Sequence, residues 1–170
     1  TNTDLPGIMP KDGKPNQDQV LANYTRKHLE AYIIGKNDWG VLKDTFVYGA
    51  KIAYRFINTP GGSFNGKLEG IAADGCTVCI SIEASNPYGI LIDNGQFVAH
   101  PTFAEVEGFQ VNWDDPGETI HIVTSPDSDC PVQFNNCTFF GAPTLVARLE
   151  GKGFTSFSQC IFQMGWVPTE

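Results

Sequence analysis

Two carboxylates in this sequence stand where acid–base chemistry could use them. Glu69, in Lys67-Leu-Glu-Gly-Ile-Ala-Ala73, and Asp93, in Leu91-Ile-Asp-Asn-Gly-Gln-Phe97, hold the same place in two segments that align. If each segment is a strand and the strands are neighbours, the two side chains project from one face roughly 5 Å apart. That separation suits a nucleophile and a general acid working on one acetal carbon. Adjacent carboxylates also raise one pKa of the pair, which a general acid requires. Lys43 holds the matching place in a third segment. The competing reading is therefore a solvated charge column, Lys43–Glu69–Asp93, with no chemistry in it.

Other reactive groups are scattered. Cys76, Cys79, Cys130, Cys137 and Cys160 are an odd number, which no closed disulfide framework uses. Cys76-Thr-Val-Cys79 has CxxC spacing but lacks a second half-site, so buried free thiols are expected rather than zinc. His28, His100 and His121 stand alone and read as structural. No nucleophile elbow, phosphate loop or dinucleotide fingerprint occurs. No metal site and no cofactor is expected.

What must position Glu69 and Asp93 is a repeat. Five segments line up: Val41-Leu-Lys-Asp-Thr-Phe-Val47, Lys67 to Ala73, Leu91 to Phe97, Gln133-Phe-Asn-Asn-Cys-Thr-Phe139 and Ser156-Phe-Ser-Gln-Cys-Ile-Phe162. Their apolar anchors Leu42, Leu68, Ile92, Phe134 and Phe157 recur at spacings of 26, 24, 42 and 23 residues. Strand-rich repeats of this length mark a β-solenoid, and the spacing of 42 is one coil carrying an insertion at Pro101 to Glu118. A right-handed parallel β-helix is the fold expected, all-β apart from one helix. The anchors should point inward as one ladder, and Lys43, Glu69, Asp93, Asn135 and Ser158 outward. The next column, Asp44, Gly70, Asn94, Asn136 and Gln159, should sit at a bend between two strands, where such residues satisfy turn backbone. Cys137 and Cys160 then fall on adjacent coils as stacked thiols, because parallel Cβ vectors suit a disulfide poorly.

Upstream, residues 1–17 read as an extended arm or linker. Residues 18–38 read as a capping helix and lead-in, since Val20, Leu21, Tyr24, His28, Leu29, Tyr32 and Ile33 follow helical spacing from Asp18 to Ile34. Residues 39–170 form the β-helix, with a long loop at 101–118. Solenoid ends expose core and strand edges unless covered, so a homo-oligomer or association with further upstream coils is expected.

The stretches Asn86 to Phe97, Val132 to Pro143 and Leu149 to Cys160 resemble the right-handed β-helix superfamily of pectate lyases, polygalacturonases and bacterial glycosidase-like proteins. The likeness covers about Trp39 to Trp166 and rests on scaffold residues, which speak to fold before chemistry. It implies the later coils of a longer member and a carbohydrate-active protein, a glycoside hydrolase or polysaccharide lyase acting on or binding a polysaccharide or oligosaccharide. Under it Glu69 and Asp93 would be catalytic, and Trp113, Asp114 and Lys43 would bind substrate. Trp113, Phe103 and Phe109 could stack on sugar rings, or only pack the loop onto its coil. Asp114 and Asp115 lack the ligand spacing of a calcium loop. The resemblance favours an extracellular or cell-surface place, although Thr1 to Pro10 carries no signal-peptide pattern. The alternative is a non-catalytic assembly or attachment module of the tailspike kind, or an inactive fragment of a larger enzyme.

Composition narrows the partners. A formal net charge of −8 argues against nucleic acid, which needs clustered Lys and Arg. No apolar run reaches 18 residues, so no membrane-spanning helix is expected. With 41% hydrophobic residues the chain should fold, and its 18 Gly and 11 Pro supply the many turns of short-strand architecture.

Overall fold

The computed structural model describes residues 17–99, 105–106, 109–110 and 118–164. Helix α1 (Gln17–His28) leads into a parallel β-solenoid of five coils, each with three strands. Coil 1 holds β1 (Glu30–Ile34), β2 (Gly40–Lys43) and β3 (Phe46–Tyr48). Coil 2 holds β4 (Ile52–Phe56), β5 (Gly66–Glu69) and β6 (Ala72–Cys76), and coil 3 holds β7 (Val78–Ile82), β8 (Ile90–Asp93) and β9 (Gln96–Ala99). A short antiparallel pair follows, β10 (Glu105–Val106) with β11 (Phe109–Gln110), inside the expected loop. Coil 4 holds β12 (Ile120–Thr124), β13 (Val132–Asn135) and β14 (Thr138–Gly141). Coil 5 holds β15 (Leu145–Leu149), β16 (Thr155–Ser158) and β17 (Ile161–Met164).

Stacking the coils makes three five-stranded parallel sheets: A (β1-β4-β7-β12-β15), B (β2-β5-β8-β13-β16) and C (β3-β6-β9-β14-β17). The repeat read from the sequence is the register of sheet B. Leu42 pairs with Leu68, Leu68 with Ile92, Ile92 with Phe134 and Phe134 with Phe157. Leu68, Ile92 and Phe134 are wholly buried, and Phe134 lies 5.1 Å from Phe157 in a near-parallel stack. A second ladder runs through sheet C, Phe97–Phe139–Phe162, with rings 5.3 and 4.9 Å apart.

Between sheets B and C the chain turns through a left-handed residue in every coil: Asp44, Gly70, Asn94, Asn136 and Gln159, with φ from 51° to 63°. Asp and Asn tolerate this conformation because their short side chains bond locally, and glycine because it has no Cβ. Asn136 donates from its Nδ2 to Asp93 Oδ1 at 3.1 Å, tying one coil to the next across the bend. The residue after the bend points in. Cys137 is wholly buried, and all five cysteines are free thiols. Burial pushes the Cys137 thiol up to about 12 and Cys76 up to about 11, so neither is a nucleophile at neutral pH.

The expected helix from Asp18 to Ile34 is cut short. α1 stops at His28, with Arg26, Lys27 and His28 in its last turn, where cations suit the helix dipole. Glu30–Ile34 is instead β1, paired to β4, with Tyr32 stacked 5.3 Å from Tyr54. The aromatic and β-branched run Tyr32-Ile33-Ile34 meets a waiting strand edge, and that pairing outweighs the helical spacing. On α1, Leu21 and Tyr24 are 60% and 62% exposed, whereas Arg26 is buried. His28, expected to pack, is exposed, with its ring 4.6 Å from Tyr24. The end of α1 meets coil 1 at the C–A corner, where Thr25 O and Leu29 O accept the Lys51 and Ile52 amides. No helix among the described residues is long and apolar enough to cross a membrane.

Candidate functional site

Sheet B presents two outward columns. Nearer the strand starts lie Val41, Lys67, Leu91 and Gln133 in register; two residues on lie Lys43, Glu69, Asp93, Asn135 and Ser158. Glu69 and Asp93 are therefore strand-paired neighbours on adjacent coils, as the repeat required. Lys43 is joined to them, with its Nζ 3.1 Å from Glu69 Oε2 and Lys67 Nζ at 3.6 Å from the same atom. The hydrogen bond and charge of Lys43 hold the Glu69 carboxyl below its usual range. Asp93 Oδ1 is held by the Nδ2 of Asn136 on the next coil, at 3.1 Å.

The two other residues read as substrate-binding, Trp113 and Asp114, lie outside the described residues, as does His100. A substrate-binding role would set their loop beside Glu69 and Asp93. Its roots are elsewhere: Ala99 ends β9 of sheet C, and Glu118 precedes β12 of sheet A. The loop therefore leaves from the C–A corner, a full strand of sheet C away from the carboxylates.

Aromatic groups do flank sheet B, and they are ones the repeat did not flag. Trp39 and Tyr88 sit at the A–B corners of coils 1 and 3, 80% and 82% exposed, with ring centroids 6.5 Å apart and planes 20° from parallel. They border a groove of about 380 Å³ whose floor is Gly40, Gly66, Gly89 and Ile90, and whose wall carries Val41, Lys67, Leu91 and Gln133. Both side chains are large and almost fully exposed, and the outward column beside them adds Val41, itself 56% exposed.

The corner is built to hold Trp39 there. Trp39 has φ 57°, a left-handed conformation that a bulky residue adopts only when its surroundings impose it. Buried Asn65 imposes it: its Oδ1 accepts the Trp39 amide at 3.0 Å, and its Nδ2 donates to Asp38 Oδ1 at 2.9 Å. The floor is bare of necessity. Gly66 has φ 147°, and a Cβ there would lie 2.1 Å from Gly40 O. The rings of Trp39 and Tyr88 come from coils 1 and 3, and at Gly66 the groove beside them is lined by coil 2 backbone alone. A signal existed in the sequence, since Trp39-Gly40 and Tyr88-Gly89 are aromatic–glycine pairs just ahead of two aligned strands.

The remaining candidates are structural. His121 is wholly buried and 5.7 Å from Phe139; its Nε2 lies 2.9 Å from Phe140 O, which can only accept, so Nε2 carries the hydrogen. Cys76 and Cys79 are buried in the core, and no cluster of three or more metal-ligating side chains occurs among the described residues. On sheet A, Arg55 bridges Glu30 and Glu83 at 2.7 Å each, linking coils 1, 2 and 3.

Comparison with family models, with curated proteins and with solved structures returns no match to this chain. What stands is the parallel β-solenoid of five coils itself.

Proposed function

We propose that the outer face of sheet B binds a saccharide chain, with Trp39 and Tyr88 stacking on sugar rings. The exposed Trp39–Tyr88 pair over a bare glycine floor carries this reading. Sugar rings bring apolar C–H faces that pack on aromatic planes, and hydroxyls that need donors and acceptors nearby. Lys67 and Gln133 offer such partners beside the rings, and Lys43, Glu69, Asp93 and Asn135 offer more one column further. The resemblance to carbohydrate-active β-helices supports the same reading by analogy of scaffold.

If the chain also cleaves its ligand, Glu69 and Asp93 are the residues for it, Glu69 ionised beside Lys43 and Asp93 strand-paired with it one coil away. Neutral and acidic polysaccharides assayed by calorimetry, by new reducing ends and by unsaturated ultraviolet-absorbing products test both parts. Binding with turnover that Asp93→Asn abolishes supports the enzyme. Binding without turnover leaves an attachment module. No binding across the panel overturns the saccharide reading.

A further inference from the structure

The groove beside Trp39 and Tyr88 crosses the strands of sheet B rather than following one. Coils 1, 2 and 3 each line it with three or four consecutive residues and coil 4 with Gln133, so it runs along the solenoid axis over three coil spacings, roughly 14 Å. Its outward side chains alternate from coil to coil. In register, Val41 on coil 1 is apolar, Lys67 on coil 2 polar, Leu91 on coil 3 apolar and Gln133 on coil 4 polar. The aromatic groups follow the same order. Trp39 belongs to coil 1 and Tyr88 to coil 3, whereas coil 2 gives the groove backbone at Gly66 and a buried Asn65 bonded to Asp38. The surface therefore repeats every second coil.

Charge on this face cancels. Lys43 and Lys67 stand against Glu69 and Asp93, two of each sign, and both lysines reach Glu69 Oε2. No cation on the outer columns of sheet B is left over for a uronate or a sulfate ester.

We propose, on the premise that this face binds a saccharide, that its ligand is a neutral β-1,4-linked hexose chain lying along the solenoid axis, one ring to a coil. Such a chain is extended, and each ring advances by about the spacing between coils, roughly 4.8 Å. Each ring is also turned over relative to the one before. The chain thus repeats every second ring, as the surface repeats every second coil. Rings over coils 1 and 3 meet Val41 and Leu91, with Trp39 and Tyr88 beside them. Rings over coils 2 and 4 turn one and the same hydroxyl edge toward Lys67, which donates, and Gln133, which donates and accepts. An α-1,4-linked glucose chain curves instead, and its rings fall out of step with the coils.

Calorimetry with hexamers that differ in linkage tests this. β-1,4-linked hexamers of glucose, mannose and N-acetylglucosamine are compared with α-1,4-linked hexamers of glucose and galacturonate. One β-linked hexamer or more should bind at least about 10-fold tighter than either α-linked one. A ligand found only outside the β-1,4 class, or an α-linked hexamer that binds as tightly, overturns the proposal and leaves the saccharide reading standing. Silence across all saccharides overturns both. Chain length then reads the register. With the β-linked sugar that binds, affinity should rise ring by ring to the tetramer and level off, because four coils line the groove. In Gln133→Ala the step from trimer to tetramer, about 3- to 10-fold for one hydrogen bond, should vanish. Gln133 is exposed, and circular dichroism checks that the variant folds. A rise that ends at the dimer, or an undiminished last step in the folded variant, means that the chain does not advance one ring per coil, and overturns the proposal.

Discussion

Two columns of sheet B differ by a single residue and do opposite work. The inward column, Leu42–Leu68–Ile92–Phe134–Phe157, is wholly buried at its middle three positions. The outward column, Lys43–Glu69–Asp93–Asn135–Ser158, faces water on the same five strands. The alternation of a strand thus separates the packed core from the solvent-facing surface within one backbone. In this solenoid the inner ladders fix the coil spacing, and the outer columns inherit that spacing with little energetic stake of their own.

The comparison predicts a graded series. Phe134→Ala should cost the most, about 3–5 kcal/mol, since it opens a cavity between Phe157 and Phe139. A urea melt with unchanged midpoint would contradict the ladder. Acid should cost nearly as much through His121. Its Nδ1 has no partner among the described residues, and burial lowers its pKa from 6.5 to about 4. The folded state then takes its proton only below the pH at which the unfolded state does. Stability should fall as pH drops from about 6.5 to about 4, by about 3 kcal/mol in all, and stop falling on this account below that. His121→Phe should flatten this window; an unaltered pH profile in the variant would remove His121 as its source.

On the outer face of sheet A the charges are spent on structure, because Arg55 ties Glu30 of coil 1 to Glu83 of coil 3. Arg55→Met should cost about 1 kcal/mol, a figure discounted for a side chain still 30% exposed. High salt should erase most of that difference. Asp93→Asn on sheet B should move the melting temperature by no more than about a degree or two. A larger drop would show that the hydrogen bond from Asn136 matters to the bend.

The inner column was legible in the sequence because strand alternation and the left-handed residues Asp44, Asn94 and Asn136 punctuate each coil at one place. From that register the pairing of Glu69 with Asp93 follows. The end of α1 was not legible, since Leu29, Tyr32 and Ile33 fit helical spacing and only the edge of β4 makes Tyr32 and Ile33 part of a strand. Nor was the meeting of Trp39 with Tyr88: each stands in an aromatic–glycine pair, but the pairs lie in A–B corners of unequal length, 49 residues apart and outside the aligned segments. Stacking of coils two apart, over a glycine, brings them together. Local pattern carries no such information.

The central claim is that this corner recognises sugar, and one titration tests it most directly. A saccharide that binds the unaltered chain is titrated by calorimetry into Trp39→Ala/Tyr88→Ala. Both side chains are exposed, so the double variant should melt within about two degrees of the parent. Its affinity should fall about 10- to 100-fold, the equivalent of roughly 1.4–2.8 kcal/mol of lost stacking. Unchanged affinity in a folded double variant would contradict the account and move the site off sheet B's aromatic corner.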